Sequence, residues 1–517
     1  MIRLFSKTIA ALVALGAVPA MADAATILYP ASQTADVTEG ATDTVIKFVA
    51  TTPAYGETLF PDAQFDPAKL VQTGPITAAS MPNTWRAAFK SVSTLPGGVT
   101  TGTITFRMCR DSPCTQPVAG SEQVFTYTIN VTLKDWMTYQ RDAGHSGYVH
   151  ASYAGIIKKR WVWQPAGTSR FTRVATKGST ILVASEDNRS FSTSMVSLTM
   201  LGAPVWVSPI GVLGWAGDPA VSGNTVYFPS ITTPSNDNPI TALDVATGGP
   251  VAPAITFDSQ YSPLLAPTPF GDSLYVAAGY NGNEVISYDL AAGTRRWTSY
   301  GQGAWIYGGE TPAVDNGHVY YYSGGYVDVF DRATGQRTTS IRDPNYDFAS
   351  HNASYDHYYF GAPMIGTGGN VIVLNDAGGL APLVKFTPAG DAIQLGSGTY
   401  RGAPAFANGV VYAEGLSSTG TLRLDAVNEA DGALLWTWSP PADDLTPPSD
   451  TGNVIATDTL IFVSTRSKLY AISATDPAHP VIWSAATPGA IAISRDNLLL
   501  VTTTLNGQPA LVAYSVK

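Results

Sequence analysis

One phrase recurs along most of this 517-residue chain: a proline or small residue, an apolar residue, a turn of Gly, Asn or Asp, then a run of β-branched and aromatic residues. It reads VATKGSTILVA, PAVSGNTVYF, PTPFGDSLYV and PAVDNGHVYYY in its first four copies. The last four are PMIGTGGNVIVL, PAFANGVVYA, NVIATDTLIFV and AIAISRDNLLLV. The first apolar residues after the turns are Ile181, Val226, Leu274, Val319, Val371, Val410, Leu460 and Leu498, at a mean spacing of about 45 residues. That is the length of a four-stranded unit, which must stack on its neighbours to bury its faces. A second phrase follows most copies, as in VISYDLAAGTRRW and VDVFDRATGQ, where an alternating strand runs through an Asp-rich turn with Gly into another strand. Each unit therefore supplies two strands and then a hairpin of two more. The eighth unit stops after its third strand, ALVAYSV, while IIKKRWVWQ at 156–164 stands unattached ahead of the first. Pairing the two closes a ring of eight units and hides both open edges.

The chain ahead of the repeats is built differently. Residues 1–22 read as a secretory signal, with Arg3 and Lys7 before the short apolar run IAALVALGAV and small residues at Ala20 and Ala22. No cysteine lies near that cleavage region, so no lipid anchor is expected, and no later segment is apolar and long enough for membrane insertion. Residues 26–134 alternate apolar and polar side chains in short runs such as GTITFRM and VFTYTINVTL, predicting an immunoglobulin-like β-sandwich. The only cysteines, Cys109 and Cys114 in CRDSPC, read as one local disulfide in an extracytoplasmic (periplasmic or secreted) protein. A net charge of −10, lower still once Arg3 and Lys7 leave with the signal, excludes nucleic acid as a partner.

The repeat phrases resemble the pyrroloquinoline-quinone (PQQ)-like propeller repeats of the quinoprotein dehydrogenase-like superfamily. The resemblance covers residues 135–517, including the stretch DWMTYQRDAGHSGYV at 135–149. Together with the sandwich ahead of it, this gives an all-β architecture: an N-terminal sandwich followed by an eight-bladed β-propeller closed by an N-terminal strand. The resemblance further implies that the stretch 135–149 packs across the propeller, with Trp136 and Tyr139 supplying buried area. Asp142 and His145 read either as turn caps or as an acid–base pair.

The superfamily holds both cofactor-dependent dehydrogenases and cofactor-free scaffold proteins. Its alcohol-oxidising members resemble one another in a disulfide of adjacent cysteines beside the quinone, a catalytic Asp, and Glu and Asn ligands for calcium. No cysteine occurs after Cys114, and no position matches those motifs well enough to carry a catalytic or metal-binding residue across. The expectation is therefore an exported, noncatalytic binding or scaffolding protein with no cofactor, for a protein or glycan partner. The alternative is a PQQ- and calcium-dependent oxidoreductase with diverged site residues.

Connections from the last strand of one unit to the first of the next fall on one face of such a ring, where a rigid scaffold presents them. They carry Trp215, Tyr261, Trp305, Tyr307, Tyr355, His351, His357, Tyr400 and Arg401, the candidate ligand-binding set. Flat aromatics beside Arg, Asp and Asn suit a sugar ring or another planar ligand. Asp218 and Glu310 are the loop carboxylates that a glycan-active enzyme would use.

Overall fold

The structure, a computed structural model, describes residues 25–190, 192–212, 215–231, 237–251, 255–258, 266–277, 283–303, 311–346, 362–374, 381–446 and 452–517. The chain divides into two compact units, one of residues 1–95 and 99–131, the other of 96–98 and 132–517. Both are built from strands. The one helix described is a single 3₁₀ turn at Thr367–Gly369, and no described helix is long and apolar enough to cross a membrane.

In the first unit, a five-stranded sheet is centred on Thr44–Thr51 and Thr84–Ser91, and a four-stranded one on Gly98–Cys109 and Gln123–Thr132. Alternation does the sorting: in Gln123–Thr132 every second side chain from Phe125 onward is buried. Phe48, Phe89, Phe106 and Phe125 meet in the common core, with ring centroids 5.0 to 6.2 Å from Phe48. Cys109 and Cys114 are joined, their Cα atoms 5.1 Å apart. Asp111 caps the turn between them by accepting from the backbone N–H groups of Thr115 and Gln116.

The second unit is the ring of repeats. All eight sequence anchors fall within second strands: Thr180–Asp187, Thr225–Ile231, Ser273–Ala277, His318–Ser323, Val371–Leu374, Val410–Leu416, Leu460–Ser464 and Leu498–Leu505. Among the described residues these distribute over seven sheets, because the fifth and sixth repeats share one seven-stranded sheet through the long strand Ala392–Ala407. Ile157–Trp163 pairs antiparallel with Gln508–Val516 and becomes the outer strand of the last sheet. The ring is closed by its two sequence ends.

Neighbouring repeats are joined by tryptophan on glycine. Trp161, Trp206 and Trp297 each reach the hairpin turn of the following repeat, where the indole N–H donates to the carbonyls of Met200 (2.9 Å), Val245 (2.9 Å) and Arg332 (3.2 Å). A Cβ on Gly202, Gly248 or Gly335 would lie only 2.5 to 2.6 Å from these indoles, and all three glycines have left-handed backbones. The turn glycine of each of these three hairpins thus makes room for an indole from the repeat before it, a contact that only glycine permits. Two later joints use rings on both sides, Trp436 on His479 and Trp483 on Tyr514.

Replacing Gly248 by alanine should therefore cost on the order of 2 kcal/mol, from the left-handed backbone and the displaced indole together. A lowered urea midpoint at unchanged m-value would show it. An unchanged midpoint would mean that this joint carries none of the ring's stability.

Candidate functional site

The stretch 135–149 has no regular secondary structure before Tyr148, and its backbone bonds go to the innermost strands around the ring. The carbonyl of Trp136 accepts from Thr176 in the first repeat, Met137 from Val221 in the second, Ala143 from Val314 in the fourth and Gly144 from Ile365 in the fifth. Ser146 and Gly147 accept from Phe406 and Ala456 in the sixth and seventh. The Thr138 hydroxyl donates to Pro267 of the third repeat at 2.6 Å. Gln140 bonds the carbonyls of Pro404 and Val454 and accepts from Asn453, which also bonds Ile491 of the eighth repeat. One segment thus fills the axis at the end where the tight turns lie. Positive φ at Gln140, Arg141, His145 and Gly147 lets it coil so closely.

Its side chains are packing and capping groups. Trp136 is buried in the core of the closing repeats. Asp142 accepts from the N–H groups of Gly144 and Ser146 and from the Ser146 hydroxyl, which makes it a turn cap. His145 is fully buried, and burial pushes its imidazole down to about 4, so it is neutral. Its Nδ1–H donates to the Pro363 carbonyl at 2.7 Å, leaving Nε2 to the Thr268 hydroxyl at 3.4 Å.

Tyr139 stands at the centre. It packs against Ala220, Ala266, Ala362 and Ala403, from four different repeats, and meets His145 edge-on at 5.1 Å. The guanidinium of Arg173 lies over its ring, 5.2 Å from the centroid. Arg173 is held by Asp218 of the next repeat, which accepts from its backbone N–H at 2.8 Å and faces its guanidinium at 3.6 Å. One repeat position explains this arrangement. Two residues before the start of the innermost strand the first seven repeats read Arg173, Asp218, Ala266, Thr311, Ala362, Ala403 and Asn453, Ala403 being the equivalent position within the long strand Ala392–Ala407. The alanines leave room for Tyr139, and the first two repeats give the axis one charged sector, on the side away from the tight turns.

The sequence candidates are placed as follows. Tyr261, Trp305, Tyr307, His351, Tyr355 and His357 lie outside the described residues, as does Glu310. Trp215 sits in the short strand Trp215–Ala216, paired with Ile231. Tyr400 and Arg401 are neighbours on the shared strand Ala392–Ala407. Tyr400 is buried under the guanidinium of Arg423, and burial first and Asp425 second push its hydroxyl upward. It packs inside the ring wall. Arg401 pairs across the strands with Glu414, a carboxyl 2% exposed whose Oε1 has no hydrogen-bond partner. Burial raises Glu414 to about 8 against the pull of Arg401. Its Oε2 would be 3.3 Å from a Cβ on Gly402, next to Ala403 in the axial ring.

Arg173 and Glu414 were not among the candidates. Glu414 has a visible signal, a carboxylate inside the apolar strand VVYAEGL. Arg173 has one only after the repeats are aligned. The described residues hold a single grouping of ligand-type side chains, Asp62 with Cys109 and Cys114, whose sulfurs are bonded to each other.

A ring of four-stranded units closed end to end, with a plugged axis, defines a β-propeller of the quinoprotein type. A family profile described as outer membrane protein assembly factor BamB matches residues 160–381 and 393–495, and the chain belongs to that family. Among solved structures it is similar to the quinohemoprotein alcohol dehydrogenase of Comamonas testosteroni, at 14% identity over 74% of this chain and 80% of that one, with a TM-score of 0.50. It is also similar to the quinohemoprotein alcohol dehydrogenase ADHIIG of Pseudomonas putida HK5, at 10% identity over the same shares, with a TM-score of 0.52. No curated protein matches the chain. The expectation that no cofactor is needed is corrected by these matches. The propeller shares its fold with quinohemoprotein enzymes, and the missing cysteine pair gives no ground for a cofactor-free reading.

Two pH responses follow from the buried groups. Unfolded His145 takes a proton near 6.5 while the folded ring refuses it until about 4, so stability falls as pH drops through that window. His145→Asn tolerates the positive φ and keeps a donor for Pro363, and it should flatten the acid limb of a melting-temperature profile. Glu414 runs the other way. The folded state holds its proton up to about 8 and the unfolded one only to about 4.5, so stability falls as pH rises between them. Glu414→Gln should melt several degrees above the wild type at pH 9 and close to it at pH 5. Parallel profiles for variant and wild type would refute either assignment.

Proposed function

We propose that the protein is an extracytoplasmic oxidoreductase of the quinoprotein type, and that its ligand sits at the ring axis above Tyr139. The observation that carries this is the guanidinium of Arg173 stacked on Tyr139 within a ring of alanines. PQQ is planar and carries three carboxylates. The described residues fit that organic group: Arg173 would hold a carboxylate, Tyr139 sets the depth, and Ala266, Ala362 and Ala403 leave the width. When bound, the quinone supplies a two-electron acceptor for alcohol oxidation. Arg173 is kept in place by Asp218, so the cation is oriented before any ligand arrives. Calcium is a different matter. The described residues of the propeller offer no cluster of three ligand groups. The Cys109–Cys114 disulfide and the signal-like N-terminus support the compartment.

A second reading rests on the family description, outer membrane protein assembly factor: the ring would then be a scaffold for a protein partner. A thermal melt of the mature protein separates the two. PQQ at a hundred times its dissociation constant should add about 2.7 kcal/mol to the folded state. Arg173→Ala should weaken binding by roughly tenfold to a hundredfold, the worth of a charged hydrogen bond. Dye reduction by the loaded protein with primary alcohols would complete the case. A well-folded wild type that shows no shift would leave the scaffold.

A further inference from the structure

The seam where the ring closes carries a surface that the axial site does not use. Ile157–Trp163 is the terminal strand of its sheet, so one row of its backbone groups has no strand partner. Its register against Gln508–Val516 shifts between Lys159 and Trp161, leaving Arg160 with no residue opposite. Lys158, Lys159 and Arg160 are all exposed, and none makes an ion pair among the described residues, in a chain whose net charge is −10.

Beside them lies a cleft of about 420 Å³, lined by Lys159, Arg160, Trp161, Met200, Leu201 and Leu498, with Asp496 as its one acid. The apolar surface continues on both sides. Towards the seventh repeat, Gly155 touches Ile482, which is 43% exposed, and Ile156 beside it is 52% exposed. Towards the first, Leu201 is 79% exposed, and Val205 and Val207 follow on the outer strand Pro204–Val212.

Lysines on an outer strand often serve simply to keep other strands away. That purpose would call for charge on the neighbouring outer strands too. Yet on the two flanking outer strands Val481 and Ile482, and Val205, are exposed before their tryptophans, and where charge does recur, at Arg295 and Arg296 of the third repeat, Arg296 is paired with Asp272 and Asp289. An exposed apolar band interrupted by three unpaired cations marks a docking surface.

We propose that this seam docks an extended, acidic segment of a partner protein. Carboxylates of the segment meet Lys158, Lys159 and Arg160, and one large apolar side chain enters the cleft over Trp161 and Leu201. The free strand edge favours a peptide over a lipid surface, since strand addition satisfies backbone groups that lipid cannot. The site lies on the outer rim and is independent of the axial cofactor.

The test uses the mature protein and a fluorescein-labelled synthetic peptide that alternates glutamate with valine around a central phenylalanine. A glutamine-for-glutamate peptide is the control. Anisotropy should show saturable binding of the acidic peptide that weakens with salt. The triple variant Lys158→Glu, Lys159→Glu, Arg160→Glu should lose about tenfold or more in affinity. Leu201→Asp should also bind more weakly. All four positions are exposed, and unchanged melting curves would confirm that the variants fold. No saturable binding, equal binding of the glutamine peptide, or unchanged affinity in the variants would overturn the proposal. Binding to phosphatidylglycerol vesicles without binding to the peptide would overturn it in favour of a membrane surface.

Discussion

The antiparallel pairing of Ile157–Trp163 with Gln508–Val516 turns a row of repeats into a ring. Without it the first and last sheets would each keep a bare edge, and the curvature imposed by tryptophan on glycine at the joints would have nothing to close against. The two strands come from opposite ends of the propeller sequence, so closure orders the whole chain between them. Such a pairing is non-local in the extreme, and its entropy is recovered only when the intervening repeats are in place.

The residues just upstream of the closing strand share in that task. The stretch 135–149 has little apolar surface pattern of its own, and it is ordered because seven innermost strands each lend it one or two backbone or side-chain partners. Its carbonyls satisfy N–H groups at the axis, where no neighbouring strand is available. The consequence for function is geometric. With the turn end of the axis occupied, Tyr139 becomes a floor, and what lies above it is decided by one position in each repeat. Small residues at most of these positions set the width, and Arg173 with Asp218 gives the charge its direction.

Much of the fold was legible because its signals are local. A Gly, Asn or Asp turn before each second strand, and the Asp-rich turn with Gly between later strands, can be read without knowing any contact. The sharing of Ala392–Ala407 by two repeats was not legible, since strand continuity across a repeat boundary leaves no turn residue missing from the pattern. The axial site was less legible still. Arg173 looks like an ordinary strand-start residue until it is set beside Asp218 and the alanines at the same repeat position. Tyr400, an aromatic beside a candidate loop, proved to be wall packing against Arg423, because sequence places a residue near a face without saying which side of its strand points there. Six of the nine candidates, Tyr261, Trp305, Tyr307, His351, Tyr355 and His357, lie outside the described residues.

The absence of a cysteine pair illustrates how an argument from missing motifs can mislead. A disulfide beside the quinone is one way to wall a planar ligand, and its absence removes that wall and nothing else. What a carboxylated planar ligand needs first is a fixed cation, a flat floor and a channel wide enough to admit it. In the proposed site Arg173 would be the cation and Tyr139 the floor, with alanines packed around it, from three unrelated parts of the chain: a strand start, an irregular crossing segment and a repeated small residue. The same scaffold can therefore hold a cofactor or present a face to a protein, and the difference lies in a handful of inward positions that the repeat itself leaves free to vary.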